Sequence, residues 1–158
     1  MKYKNSIGFR LATVFGYSYR MRTDLLVNNF VYKSLTDKKL TIFEPHFRRN
    51  YIHVKDIAYT FEHCVKNFNT MKNNVFNVGL SDANLTKLDL CKLIKKQLNE
   101  FEIIISENGS DPDKRDYFVS NDKIERTNWK PKVNINDGIK ELIEHYIDYK
   151  EIKFDRNY

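Results

Sequence analysis

Residues 7–15 (IGFRLATVF) constrain the fold more than any other stretch of the chain. They are rich in apolar and β-branched side chains and stop at Gly16. A run of this kind reads as a buried strand, suited to a parallel sheet with both faces covered. Residues 23–34 follow with helical spacing, placing Leu26, Phe30 and Val31 on one face and Asp24 near the start. Residues 40–43 form a short strand that Pro45 interrupts. Residues 51–54 form another, ending where Asp56 can cap a helix over residues 57–66.

Residues 75–78 are a further strand, closed by Gly79. The next helix has the clearest start signal: Thr86 and Asp89 make a T-x-x-D capping box, and Leu85 and Leu90 stand at the staple positions. Leu93, Ile94 and Leu98 extend its apolar face. A strand at residues 102–105 leads into a polar loop through Asp113, and residues 121–126 read as one helical turn. The last helix starts near Asn134 or Asn136 and carries Ile139, Leu142, Ile143, Tyr146 and Ile147 on one stripe. Strands alternating with helices argue for the α/β class. Residues 1–150 are expected to form one domain, with 151–158 a polar tail.

With 41% apolar and 30% charged residues, the composition fits a globular domain. No apolar run approaches the ~20 residues needed to cross a bilayer, and MKYKNSIGFR lacks the apolar core of a secretory signal. A cytoplasmic address is expected. Cys64 and Cys91 fall in helical patterns and read as small buried hydrophobes. His46, His53, His63 and His145 lack metal-ligand spacing, so no metal site is expected. The net charge of +6 favours anions, through clusters at Lys38-Lys39, Arg48-Arg49 and Lys95-Lys96. A phosphate-bearing small ligand suits this scatter at least as well as a polynucleotide does, and no nucleic-acid recognition signature is present.

Seven stretches in order carry a resemblance: FRLATVFG, MRTDLLVNNF, KKLTIF, RNYIHVKDIA, VFNVG, KRDYFVSNDKI and WKP. The chain resembles the carboxy-terminal, substrate-binding part of extended short-chain dehydrogenase/reductase proteins, in the branch of NAD-dependent nucleotide-sugar epimerases and dehydratases. That implies the carboxy-terminal part of a Rossmann-type fold with a small mixed substrate-binding lobe. The resemblance places Ala12 against the cofactor's nicotinamide and Thr13 against the sugar. It assigns Asp24, Leu25 and Asn28 to a helix start that meets the diphosphate, where backbone N–H groups favour an anion. Ile42 and Phe43 would run beside the nucleotide base. Arg49 and Arg115 would converge on the diphosphate, since the planar guanidinium fork suits phosphate oxygens. Thr13 and Tyr17 depart from the Asn and Pro of many family members, and Lys55 from an acidic residue.

The family's hydride chemistry needs a glycine-rich dinucleotide turn and a Tyr/Lys pair four residues apart on a helix. The five glycines, at 8, 16, 79, 109 and 138, do not make that turn. Tyr51/Lys55, Tyr146/Lys150 and Tyr149/Lys153 have the spacing but stand in the wrong places, so no catalytic residue is assigned. NAD is implied by the resemblance but is not expected to bind stably to this chain alone. The expected function is the nucleotide-sugar-binding half of an epimerase or dehydratase, inactive without a complementary amino-terminal half. A non-catalytic binding or assembly module is the alternative. Strand edges left open by the missing half should drive pairing with that half or homo-oligomerisation.

Overall fold

The computed structural model describes residues 4–110 and 115–148. Seven strands run in the order β1 (Ile7–Leu11), β2 (Thr13–Phe15), β3 (Lys39–Ile42), β4 (Arg48–His53), β5 (Asn74–Val78), β6 (Asn84–Thr86) and β7 (Glu102–Ile105). The helices are α1 (Leu26–Thr36), α2 (Val54–Lys66), α3 (Phe68–Met71), α4 (Lys87–Gln97), α5 (Asp122–Glu125) and α6 (Ile135–Asp148). The polar tail and the loop residues 111–114 lie outside the described residues.

Residues 7–15 are extended, but they make two strands rather than one. β1 pairs in parallel with β5, Ile7 opposite Asn74 and Leu11 opposite Val78. β2 pairs in parallel with β4, Thr13 opposite Tyr51 and Phe15 opposite His53. The change of partner falls at Ala12, whose N–H donates to the Val78 carbonyl at 2.9 Å. β4 also takes β6 antiparallel on its other side, giving a mixed sheet, while β3 and β7 pair in parallel. β6 escapes a reading by periodicity, because its three residues double as the lead-in to the α4 capping box.

The helices cover these sheets. Val27 and Val31 of α1, Leu90 and Ile94 of α4, and Ile139 and Leu142 of α6 are all fully buried. α1 begins three residues later than the spacing predicts, because Asp24 is drawn into a two-pronged ion pair with Arg22 (2.7 and 2.6 Å) instead of lying in the first turn. Asp56 does not cap α2 either. That role belongs to His53, whose Nδ1 accepts from the Lys55 N–H at 3.3 Å. Asp56 lies inside the first turn, buried, and accepts the N–H groups of Lys132 (2.8 Å) and Val133 (3.1 Å). α6 starts as expected, with Asn134 Oδ1 accepting from the Asp137 N–H at 3.0 Å. Its apolar stripe stops at Tyr146; Ile147 continues the spacing past the core and is 57% exposed.

One face is unfinished. No described strand pairs with the outer edge of β1. Above it Phe61 of α2 meets Phe9 edge-on at 5.3 Å yet stays 53% exposed, and Val65, one turn on, is 77% exposed.

The α4 capping box forms as its sequence indicates. The Thr86 hydroxyl accepts the Asp89 N–H at 3.0 Å, and the Asp89 carboxylate accepts the Thr86 N–H at 3.3 Å. Thr86→Ala should cost about 1 kcal/mol. Urea unfolding should show a lower midpoint with an unchanged slope.

Candidate functional site

A cavity of about 520 Å³ opens where residues 7–15 change sheets. Ala12, Thr13 and Gly16 form its floor, Leu25 and Asn28 bring the start of α1, and Arg22, Arg115 and Tyr117 come from two loops. Its volume is that of an ordinary small-ligand site. Gly16 is required by its backbone (φ +112°) and by space, because a Cβ there would run into the His53 ring.

Asn28 holds one wall together. It is buried, its Oδ1 accepts the Gly16 N–H at 3.0 Å, and its Nδ2 donates to the Arg22 carbonyl at 2.9 Å. The turn between β2 and α1 is therefore fastened to the helix it enters. No side chain caps α1, and its first turn has no acidic residue. The leading N–H groups of a helix have no partner within it, so this end favours an anion.

The opposite wall is fixed by strand residues. Asp116 accepts from the Arg48 N–H (2.8 Å) and from its Nε (3.1 Å). Those hydrogen bonds hold its carboxyl below the usual carboxylate range. Asn84 exchanges hydrogen bonds with both backbone groups of Val119, at 2.9 and 3.0 Å. Arg115 and Tyr117 flank Asp116 and are set on the cavity by these ties.

Ala12, Thr13, Leu25, Asn28 and Arg115 thus stand together on one cavity. Asp24, Ile42, Phe43 and Arg49 do not line it. Asp24 sits behind Arg22. Ile42 is buried in β3, and Phe43 packs beside Gly109 and gives its carbonyl to Lys87 Nζ at 2.9 Å. Arg49 is only 3% exposed; its Nη1 donates to the Arg48 carbonyl and its guanidinium lies 5.3 Å from the Tyr117 ring. It backs the cavity through Tyr117. Arg22 and Tyr117 were not singled out from the sequence, although both fall inside the quoted MRTDLLVNNF and KRDYFVSNDKI stretches.

Behind the floor lies His53, fully buried. A backbone N–H can only donate, so Nδ1, facing the Lys55 N–H, carries no proton. Nε2 therefore holds the hydrogen and donates to Glu141 Oε2 at 2.7 Å. Glu141 also pairs with Lys55 Nζ. Burial pushes the imidazole below its ordinary pKa, against the pull of Glu141.

This arrangement of parallel pairs, covering helices and a mixed lobe matches the Rossmann-type fold of solved nucleotide-sugar epimerases and dehydratases, over about half of each. Several of the similar proteins are named as enzymes of nucleotide sugars. The trifunctional UDP-glucose 4,6-dehydratase/UDP-4-keto-6-deoxy-D-glucose 3,5-epimerase/UDP-4-keto-L-rhamnose-reductase of Arabidopsis thaliana is 27% identical over 158 residues, which cover 96% of this chain and 23% of that protein. UDP-glucose 4-epimerase of Thermotoga maritima, solved with UDP-glucose, superposes with a TM-score of 0.72 at 24% identity, over 92% of this chain and 47% of that one. dTDP-glucose 4,6-dehydratase of Bacillus anthracis, solved with NAD, gives 0.70 at 21% identity, over 91% and 45%. No family model matches the chain. The chain spans under half the length of these solved relatives and about a quarter of the plant protein.

NAD fits this chain only in part. Ala12 and Thr13, on the cavity floor, would be its contacts, but none of the five glycines provides a turn that would receive a dinucleotide's pyrophosphate.

The His53 geometry sets a pH dependence of stability. With its pKa lowered in the native state, the unfolded chain takes up a proton first as pH falls below about 6.5. Stability should be full above that value and decline below it. Urea midpoints at about pH 7.5 and 5.5 should differ in the wild type, and by less in His53→Asn.

Proposed function

We propose that this protein is the substrate-binding part of an NAD-dependent nucleotide-sugar epimerase or dehydratase, and that the cavity at Ala12–Thr13 takes a nucleoside-diphosphate sugar. One observation carries the reading. Arg115 and the uncapped start of α1 face the same cavity, whose described wall includes Arg22 and no carboxylate. A diphosphate is the ligand that uses a helix N-terminus and a guanidinium fork together. The similar proteins support this choice, since their names specify UDP- and dTDP-linked sugars. Thr13 faces the sugar in this reading, and Arg49 acts from behind through Tyr117.

The same reading assigns hydride transfer to a complementary amino-terminal half, so this chain binds without catalysing. It also sets the protein in the cytoplasm, with the buried thiols Cys64 and Cys91 reduced. Burial pushes the Cys91 thiol up to about 12, a value at which it is inert.

Thermal shift with UDP-glucose, dTDP-glucose, the free diphosphates and NAD tests the assignment. Ligand at about 100 times its dissociation constant should stabilise the protein by about 2.7 kcal/mol. A nucleotide sugar should do so, NAD alone should not, and Arg115→Gln should weaken the response at least about tenfold, the worth of one charge-assisted hydrogen bond. A shift with NAD and none with any nucleotide sugar would sink the proposal.

The open β1 edge bears on partners. Arg10 is the one charged residue in Ile7–Leu11 that could keep another strand away, and Phe61 and Val65 lie exposed beside it. Light scattering on the isolated chain should therefore report association, relieved by Val65→Glu. A compact monomer at micromolar concentration would count against a missing half.

A further inference from the structure

His53 joins four elements through one ring. It ends β4 opposite Phe15 of β2, and the two rings meet edge-on at 5.3 Å. Nδ1 caps α2, and Nε2–H holds Glu141 of α6. Gly16 and Gly138 approach so closely that a Cβ on either would strike the imidazole or the Phe15 ring it touches. Phe15 and Gly16 line the cavity, and so does Val54, the first residue of the helix that His53 caps. The imidazole is thus the backing of the cavity floor.

We propose that His53 is a positioning residue of the cavity: neutral and protonated on Nε2, it fixes Phe15, Gly16 and Val54, and it makes ligand affinity depend on pH. A proton added at Nδ1 turns an acceptor into a donor that faces the Lys55 N–H. Two donors cannot share that contact, so the first turn of α2 must move, and Val54 moves with it. No room exists for the ring to turn away, with Phe15 on one side and two glycine backbones pressed against it. The charged groups around the ring are Glu141 from α6 and Lys55 and Asp56 from α2; β2 brings only Phe15 and Gly16, which do not titrate. Glu141 is already shared with Lys55, and Asp56 is held by the Lys132 and Val133 N–H groups. Neither carboxylate reaches Nδ1.

The affinity arm of the test rests on the nucleotide-sugar reading; the amide-exchange arm does not. UDP-glucose is the probe, because its diphosphate diester, with one charge on each phosphate, does not titrate across the histidine range. Wild-type affinity should be lower at about pH 5.5 than at about pH 7.5, by less than the roughly tenfold that an imidazole of ordinary pKa would give, because burial lowers this one. His53→Asn keeps a good helix cap but cannot titrate, and its affinity should be flat over the same range. Identical pH profiles for the two proteins overturn the proposal. Should UDP-glucose bind at neither pH, the nucleotide-sugar reading fails and hydrogen exchange decides. Corrected protection of the Lys55 and Gly16 amides should then drop at the lower pH in the wild type alone. Unchanged protection there overturns the proposal. If His53→Asn does not fold, Glu141→Gln serves. It still accepts Nε2–H but removes the nearby charge, so the midpoint of the transition should move to lower pH, and an unmoved midpoint overturns it.

Discussion

The backbone hydrogen bond from Ala12 to Val78 is the joint on which the structure turns. On one side of it the chain belongs to the β1–β5 pair, and on the other to the β2–β4–β6 sheet. A single straight strand could not serve both partners. The joint is reinforced nearby: Leu80 donates to the Tyr51 carbonyl at 2.8 Å, and Asn50 Nδ2 donates to the Leu80 carbonyl at 2.6 Å. Gly79 makes this possible, since a side chain there would collide with Asn50. Splayed strands leave a gap, and the cavity occupies it.

The segments that bring Arg22, Arg115, Tyr117 and the floor to the cavity are secured from behind by buried or paired polar groups. Asn28 secures the turn that brings Arg22, and Asp116 and Asn84 secure the segment that brings Arg115 and Tyr117. His53 secures the floor. Ligand-facing groups therefore need little ordering when something binds, which is how a modest number of contacts yields useful affinity. The arrangement also separates tasks: guanidiniums and the start of α1 face the cavity, while amides and an imidazole hold them in place.

Much of this was legible in the residues. The capping box at Thr86 and Asp89 depends on local chemistry and formed as read. The start of α6 at Asn134 did too. What escaped depends on partners distant in sequence. Nothing local marks Ala12 as a break, because Val78 and Tyr51 are what divide the run. Asp56 looked like a cap by type and position, but His53 stands three residues nearer the strand with a ring nitrogen already aimed at the Lys55 N–H. Arg22 reads as a surface charge until Asp24 and Asn28 fold the turn around it. Arg49 and Arg115 share a chemistry in the sequence, yet only the fold shows that Arg115 lines the cavity while Arg49 lies off it, beside the ring of Tyr117.

The strand pairings have a kinetic consequence as well. Ile7 must wait for Asn74, and Lys39 for Glu102, before either ladder can close. Long loops raise the entropy of closure, and folds dominated by distant pairings form slowly. During synthesis the β1 segment leaves the ribosome well before its β5 partner exists. For that interval a largely apolar strand, with Arg10 its one charged residue, is at its most vulnerable, so chaperone dependence and expression temperature should govern the yield of this protein more than its final stability does.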